Sequence, residues 1–265
     1  MTELVESILK RVSQCSPEEQ RLVYEKLRET IDKHPLEVAW GCSAEDMLTA
    51  IQWAPELTQR MLKGVIADAA FRMYVVPQLK ATNWEPVKFE SNELYDHKLD
   101  DGVGDVTVQV KLQRSARGGA VCAGPRSRTW PPGYFTVEVQ KTRTGKKKKR
   151  KGASGEGEEA EESAEMVDTR PYAFGDFDIL AVSMWPSTRD WKDFRYTVGR
   201  WLIARSDEPS NIAVMQPLSP TNNDVWTNDF NTAVAWLRGN TERSIKPPYE
   251  PPPPKGKRRR KKTIA

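Results

Sequence analysis

The sequence VQVKLQ, at residues 108–113, follows a turn-rich stretch, DDGVGD at residues 100–105, and a second run, LYDHKL, at residues 94–99. Both runs mix β-branched, aromatic or leucine residues with polar ones, which is typical of half-buried strands. The glycines between the runs indicate a tight turn. The three segments together predict a β-hairpin that carries an acidic residue on its first strand and a Gln-x-Lys pair on its second.

The position of the turn predicts which residues of the hairpin face each other. A turn centred on residues 102–103 places Asp96 opposite Gln109 and Leu94 opposite Lys111. The Cβ atoms of directly opposed residues lie about 5 Å apart. Because side chains alternate across a strand, Gln109 and Lys111 share one face. The hairpin therefore predicts a carboxylate, an amide and an ammonium group close together.

These three groups have the chemistry of a metal-assisted hydrolytic site. Asp96 and the amide oxygen of Gln109 could hold Mg²⁺, with waters completing its coordination shell. Lys111 could orient or deprotonate an attacking water and stabilise the charge that develops on a phosphate. Asp105 shares the strand with Gln109 but lies four residues away, about 13 Å, which is too far to share one metal ion. A solvated strand face is the alternative explanation for the same alternation of polar residues.

Hydrophobic spacing and capping residues predict the other elements. SPEE at residues 16–19 and SAED at residues 43–46 are capping boxes that open helices. The predicted helices lie at residues 1–52, at 55–74 with an end near Pro77, at 190–204, and from Thr227 to Gly239. The predicted strands lie at residues 87–89, 94–99, 106–112, 134–140, 177–182 and 212–215. This order predicts an α/β domain, residues 55–246, after an N-terminal helical segment, residues 1–54.

Composition argues against several other classes of protein. The 265 residues include three cysteines and two histidines, with no CxxC pair, so neither a structural zinc site nor a disulfide framework is indicated. The amino-terminal residues do not have the pattern of a signal peptide. No apolar run approaches the roughly 18 residues that span a bilayer. We therefore expect a cytoplasmic protein that does not enter a membrane.

The net charge of +4 is distributed unevenly. Residues 255–265 contain seven basic residues and no acid, so the rest of the chain is slightly acidic. Six basic residues at 146–151 are followed by six glutamates within 156–165. We expect residues 144–167 to form a disordered charged insert, and residues 247–265 to form a disordered proline-rich and basic tail. Both basic runs would attract DNA without sequence preference.

The hairpin and the elements around it resemble a known family of nucleases. Asp96, followed after twelve residues by Gln109-x-Lys111, resembles the PD-(D/E)xK signature in a Q-x-K form. The order of a long helix, Trp84, the hairpin, FDILAV and a following helix is similar to that of type II restriction endonucleases, over residues 55–216. The resemblance implies a restriction-endonuclease-like fold, in which helices flank a mixed central sheet.

The same resemblance implies an activity and partners. It implies a Mg²⁺-dependent, site-specific deoxyribonuclease of a restriction-modification system, which hydrolyses phosphodiester bonds through attack by a water that the metal activates. Asp96, Gln109 and Lys111 would be its catalytic residues. Cleavage of double-stranded DNA takes two active sites, so the resemblance also implies a homodimer.

The sequence departs from the family signature at two positions. Tyr95 stands in place of the proline, and Gln109 stands in place of the second acid. A neutral ligand leaves a metal ion less compensated, and family members often supply a further acid from the helix before the hairpin. Asp68 lies in such a helix, among small and apolar residues, and is our candidate for a catalytic residue and third metal ligand. An ordinary helical ion pair between Asp68 and Arg72 is the alternative.

A glycine- and arginine-rich loop follows the hairpin. An exposed loop of this composition suits contacts to phosphates or to guanine edges, although an ordinary flexible loop has the same composition. We predict a DNA-binding surface made by the loop and by the strand at residues 134–140, and its candidate residues are Arg114, Arg117, Arg126, Arg128, Lys141 and Arg143.

Other interpretations remain open at this point. Glu138-x-Gln140-Lys141 has a spacing found in metal nucleases, and Asp176 with Asp178 could bind a metal. The chain could instead be a noncatalytic DNA-binding or complex-assembly protein that uses its basic tail. It could also be a nuclease that processes RNA.

Overall fold

The computed structural model describes residues 2–89, 93–141 and 171–252. The charged insert at 144–167, Arg143 and the basic residues from 255 onward lie outside the described residues. The chain forms two compact units, Met1–Met61 and Leu62–Ala265.

The first unit consists of helices. They are α1 (Glu3–Gln14), α2 (Pro17–Thr30), α3 (Pro35–Trp40), α4 (Ala44–Trp53) and the start of α5 (Glu56–Ala70). Ser16 and Ser43 each accept a hydrogen bond from the third residue of the helix that follows, which confirms both predicted capping boxes. Glu37 is the one buried residue of α1–α4, and it forms an ion pair with Arg28.

The helical chain passes beyond the end that was predicted at Pro77. A π-helical turn (Phe71–Val75) follows α5, and α6 (Val76–Lys80) follows that turn. The prediction was wrong because Pro77 lies in the first turn of α6. In a first turn the missing proline N–H costs little, since that N–H has no helical partner.

Nine strands make up the β structure of the described residues. They are β1 (Glu85–Pro86), β2 (His97–Asp100), β3 (Asp105–Leu112), β4 (Ser115–Ala116), β5 (Gly119–Ala120), β6 (Phe135–Glu138), β7 (Ile179–Ser183), β8 (Phe194–Val198) and β9 (Met215–Leu218). The central sheet has the order β1-β2-β3-β7-β8, and β4-β5 and β6-β9 form two small ribbons. Only β3 and β7 pair in parallel within the central sheet, so that sheet is mixed.

The β2–β3 hairpin has the predicted register. His97 pairs with Val108 and Asp100 with Asp105, around a turn in which Gly102 has a positive φ of 81°. Asp100 Oδ1 accepts a hydrogen bond from the Gly102 N–H at 2.9 Å, which closes the turn.

The segment at residues 190–204 is not the predicted helix. It contains β8, which runs antiparallel to β7, and a 3₁₀ turn (Gly199–Trp201). Phe194, Val198 and Trp201 fit a helical spacing, but Phe194, Tyr196 and Val198 also fit the two-residue period of a strand. All three of the latter side chains are buried in the sheet. The sequence fits a helical and a two-residue period about equally well, and burial of these side chains in the sheet favours the strand.

The last helix and the sheet core complete the second unit. Helix α8 (Phe230–Arg238) is capped by Asp229 rather than by the predicted Thr227, and it ends before Gly239 as predicted. It packs against β7 and β8, and its Phe230 contacts Tyr196 edge-on. Every residue of β7 is buried. The fold is α/β, with a five-stranded mixed central sheet flanked by helices. No helix within the described ranges is long and apolar enough to cross a membrane.

Candidate active site

The hairpin brings Asp96 and Gln109 into direct contact. Asp96 lies just before β2, and its N–H donates to the carbonyl of Val108 at 2.9 Å. Its Oδ2 accepts one hydrogen bond from the N–H of Val110 at 2.8 Å and another from the side-chain amide of Gln109. Gln109 is buried. The carboxylate and the amide are thus fixed against each other by the register of the hairpin.

Lys111 lies on the same face of β3, beside Tyr172. Its Nζ is 3.4 Å from the Tyr172 hydroxyl and 5.2 Å from the centre of the ring. Burial lowers the pKa of Lys111, and the charges of Asp96, Glu138 and Asp68 oppose that shift. A lysine in this position can exchange a proton closer to neutral pH than an exposed one.

The pKa of Asp96 is shifted in the opposite direction. Burial raises it, while the charge of Lys111 and the hydrogen bond from the Val110 N–H lower it. Asp68 adds a smaller repulsive effect that also raises the Asp96 pKa. The charges on Asp96, Lys111 and Asp68 are therefore close enough to act on one another.

Asp68 is anchored by His97, a residue for which no functional role was predicted. Its Oδ1 lies 2.7 Å from Nε2 of His97, the first residue of β2. His97 is buried and contacts the ring of Phe71 at 4.8 Å between centroids. Among the described residues, the side chain that contacts the Asp68 carboxylate is His97 and not Arg72.

The second candidate motif lies beside the first. The side-chain amide of Gln140 donates to Glu138. Lys141 forms an ion pair with Asp176 at 3.2 Å, and its Nζ lies 5.1 Å from the centre of the Tyr172 ring. Tyr172 thus has two lysines against it, Lys111 and Lys141. We name the group formed by Asp96, Gln109, Lys111, Glu138 and Tyr172 the hairpin cluster.

Some residues of this region could be recognised from the sequence, and others could not. The Glu138-x-Gln140-Lys141 spacing was visible in the sequence, but only the fold places it next to Lys111. Tyr172 follows the charged insert and belongs to no motif, so no sequence signal marks it. Asp178 is structural, since its Oδ2 accepts hydrogen bonds from both the N–H and the hydroxyl of Thr107.

Four of the predicted DNA-binding arginines are exposed. Arg114 follows β3, Arg117 forms the turn between β4 and β5, and Arg126 and Arg128 lie in the loop before β6. Within the described part of the chain, none of these four forms an ion pair. Lys141 differs from these four arginines, because it forms an ion pair with Asp176.

The donor atoms of the cluster limit the metals that it could hold. In the described ranges no group of three or more His, Cys, Asp or Glu side chains is arranged to bind a metal. Asp96 and Gln109 fit Mg²⁺, which keeps several waters and needs only one or two carboxylates. The nitrogen of the Gln109 amide faces Asp96, so the amide must turn over to present its oxygen to a metal that Asp96 also binds.

Comparisons with known proteins identify no family. No protein-family model matches the chain, and no curated protein matches its sequence. Among solved structures, a bacterial homing endonuclease, I-Ssp6803I, is similar over 68% of this chain and 93% of that chain, with 19% identity and a TM-score of 0.34. A TM-score of 0.34 is too low for this likeness to support a function.

Proposed function

We propose that the chain is a Mg²⁺-dependent DNA endonuclease of restriction type, which cleaves phosphodiester bonds at specific sites and acts as a homodimer. The observation that carries the proposal is the contact of Asp96 with Gln109 beside the half-buried Lys111. A carboxylate, an amide and a lysine with a lowered pKa are the groups that metal-assisted phosphodiester hydrolysis uses.

Lys111, Asp96 and Asp68 each have a role in this proposal. Lys111 takes or directs the proton of the attacking water and balances the negative charge that develops on the phosphate. Asp96 orients the site through its hydrogen bonds with the Val110 N–H and the Gln109 amide. Asp68 adds negative charge near both groups and is held in place by His97.

The metal would be held by Asp96, by the oxygen of the Gln109 amide after the amide turns over, and by Asp68. When bound, Mg²⁺ would polarise the phosphate and lower the pKa of a coordinated water. The four exposed arginines would contact the negatively charged DNA backbone or base edges. A homodimer supports the cleavage of both strands, because each chain supplies one hairpin cluster.

The experiment that tests the proposal is metal-dependent cleavage. Purified protein would be incubated with long double-stranded DNA of varied sequence, with Mg²⁺ or with EDTA, and a structured RNA would serve as the alternative substrate. We expect discrete DNA fragments with Mg²⁺ only, and none from an Asp96→Ala variant. Cleavage of RNA alone would identify an RNA-processing nuclease instead.

Removal of the tail distinguishes the proposed enzyme from a noncatalytic DNA-binding protein. We expect a chain that lacks residues 251–265 to keep its metal-dependent cleavage, because the hairpin cluster lies elsewhere in the sequence. If the full chain shows no cleavage and loses DNA binding when this tail is removed, the proposed enzyme is excluded.

A further inference from the structure

A pocket of about 330 Å³ lies beyond the end of β3 that carries Lys111, and no residue of the hairpin cluster lines it. Its location follows from two neighbouring strands, since Arg114 comes three residues after Lys111, and Thr136 comes two residues before Glu138. The Arg114 N–H donates a hydrogen bond to the Thr136 carbonyl at 2.9 Å, and this bond joins the segment after β3 to β6. The side chains that decide its chemistry are Arg114, Val121, Cys122, Ser127, Trp130 and Met215.

The walls of the pocket suit a flat, polar-edged ring. Trp130 supplies an aromatic surface, Met215 supplies a polarizable apolar contact, and Arg114 supplies guanidinium donors. Ser127, Thr129 and Thr136 add polar residues to the lining. A volume of this size lies at the lower end of the range of small-ligand sites, which begins at about 300 Å³. The pocket is large enough to admit a single nucleobase, which has a flat face for stacking and polar edges for hydrogen bonds.

The surroundings of the pocket favour a ligand that carries phosphate. The chain from Arg114 to Tyr134 contains four arginines and no acidic residue. All four are exposed, and none of them forms an ion pair within the described residues. Their positive charge would attract a sugar-phosphate backbone on either side of a bound base.

Hydrogen bonds hold the loop that forms the pocket. Trp130 N–H donates to Ser127 Oγ at 3.2 Å, and the Ser127 carbonyl accepts a hydrogen bond from the Tyr249 hydroxyl at 2.8 Å. A preorganised aromatic platform loses less entropy on binding than a mobile one.

We propose that this pocket binds one unstacked nucleobase of the nucleic acid strand, next to the phosphodiester that the hairpin cluster cleaves. Trp130 stacks on the base and Arg114 donates to its edge. This inference rests on the proposed function, since a nuclease needs a means to position one nucleotide relative to Lys111.

The test compares strands that differ only in their bases. A labelled single strand of about twelve nucleotides and an abasic strand of equal length would be titrated in EDTA, where no cleavage occurs. Because base–aromatic stacking contributes on the order of a tenfold affinity per base, we expect the parent to bind the normal strand about tenfold more tightly. In the Trp130→Ala variant the preference should disappear, whereas Trp53→Ala, which removes an exposed tryptophan of the first unit, should keep it.

A second measurement uses the exposed thiol of Cys122 in the pocket wall. The normal strand should slow the alkylation of Cys122 severalfold, and the abasic strand should not. Equal binding of both strands by the parent, or an unchanged preference in Trp130→Ala, would overturn the pocket assignment. Base-dependent binding without Mg²⁺-dependent cleavage would instead leave the pocket in place and reject the proposed endonuclease.

Discussion

The two ends of β3 carry polar residues in the same alternating pattern but use them differently. At the hairpin end, Lys98 forms an ion pair with Asp105 at 2.5 Å. Thr107 donates twice to Oδ2 of Asp178, at 2.9 Å from its N–H and 2.8 Å from its hydroxyl. These polar groups satisfy one another, and they fix the start of the parallel pairing between β3 and β7.

At the other end, three carboxylates lie around Lys111 without pairing directly with it. The carboxylates of Asp96, Glu138 and Asp68 all act on Lys111, yet within the described residues none is within ion-pairing distance of it. Partly buried charges kept close together without direct pairing are typical of functional sites. Alternation therefore marks only the polar face of β3. The side chains that are paired mark its structural end, and the unpaired charges around Lys111 mark the end that we propose as functional.

Removal of Lys111 from the proposed functional end should reduce activity more than any other substitution described below. We expect Lys111→Ala to reduce the rate of Mg²⁺-dependent DNA cleavage by about 10³-fold, because a positioned acid–base group contributes about 10² to 10⁴. The initial rate of cleavage at saturating Mg²⁺ measures this loss, and DNA binding in EDTA shows whether the variant still engages its substrate.

Lys98→Ala is the matched control at the structural end. It removes the same kind of side chain from a neighbouring strand, where the ammonium is already paired with Asp105. Its cleavage rate should stay within about twofold of the parent, since an exposed ion pair contributes little. Equal losses of cleavage rate in Lys111→Ala and Lys98→Ala would mean that the two ends of β3 do not differ in function.

The hairpin could be predicted from sequence because its information is local. Glycine in the turn and alternating side chains fixed the register, and the register alone placed Asp96 against Gln109. The partners that come from distant segments could not be predicted in this way. His97 meets Asp68 only because α5 packs near β2, and Tyr172 meets Lys111 only after the chain has passed through more than fifty further residues. The strand β8 was missed because its residues fit two periods, and burial in the sheet chose between them.

A second prediction adds charge to the functional end. Gln109→Glu replaces the amide that donates to Asp96 with a second carboxylate in a buried position. Without metal, we expect the free energy of unfolding to fall by about 3 kcal/mol, because a buried charge loses its compensation. Mg²⁺ should restore much of this loss, so the rise in Tm on adding Mg²⁺ should be larger than for the parent.

The control for this variant is Gln52→Glu, which adds the same charge at an exposed position of α4. It should leave the stability and the Mg²⁺ response unchanged. If Gln109→Glu unfolds like the parent in EDTA, the contact between the Gln109 amide and Asp96 does not exist in solution.

A third prediction tests the structural end by itself. Asp178→Ala leaves the N–H and hydroxyl of Thr107 without their acceptor. We expect the free energy of unfolding to fall by about 2 kcal/mol, because two hydrogen bonds to a charged group are lost. Urea unfolding measures the loss. Cleavage per folded molecule should remain that of the parent, and a large fall in cleavage at full stability would assign Asp178 to the functional end.

The smallest effect is the pH dependence that the functional end imposes on stability. Because the pKa of Asp96 is raised by burial, the folded chain keeps this proton at pH values where the unfolded chain has lost it. The contribution of Asp96 to stability is therefore complete below its ordinary pKa of 3.8 and is lost as the pH rises through the raised value. Relative to Asp96→Asn, the parent should lose unfolding free energy as the pH rises from 3.8 through the raised pKa, and a tenfold difference in proton affinity between the folded and unfolded chains corresponds to about 1.4 kcal/mol.

Lys111 changes the free energy of unfolding with pH in the opposite direction to Asp96. Burial lowers its pKa, so the unfolded chain binds the proton more readily, and stability rises with pH up to the ordinary lysine pKa of 10.5. Relative to Lys111→Met, the parent should therefore gain stability as the pH rises through that window. Urea unfolding of the three proteins across both windows measures the two slopes. Two slopes of the same sign would show that these groups are not both desolvated, and the functional end of β3 would then resemble the structural one.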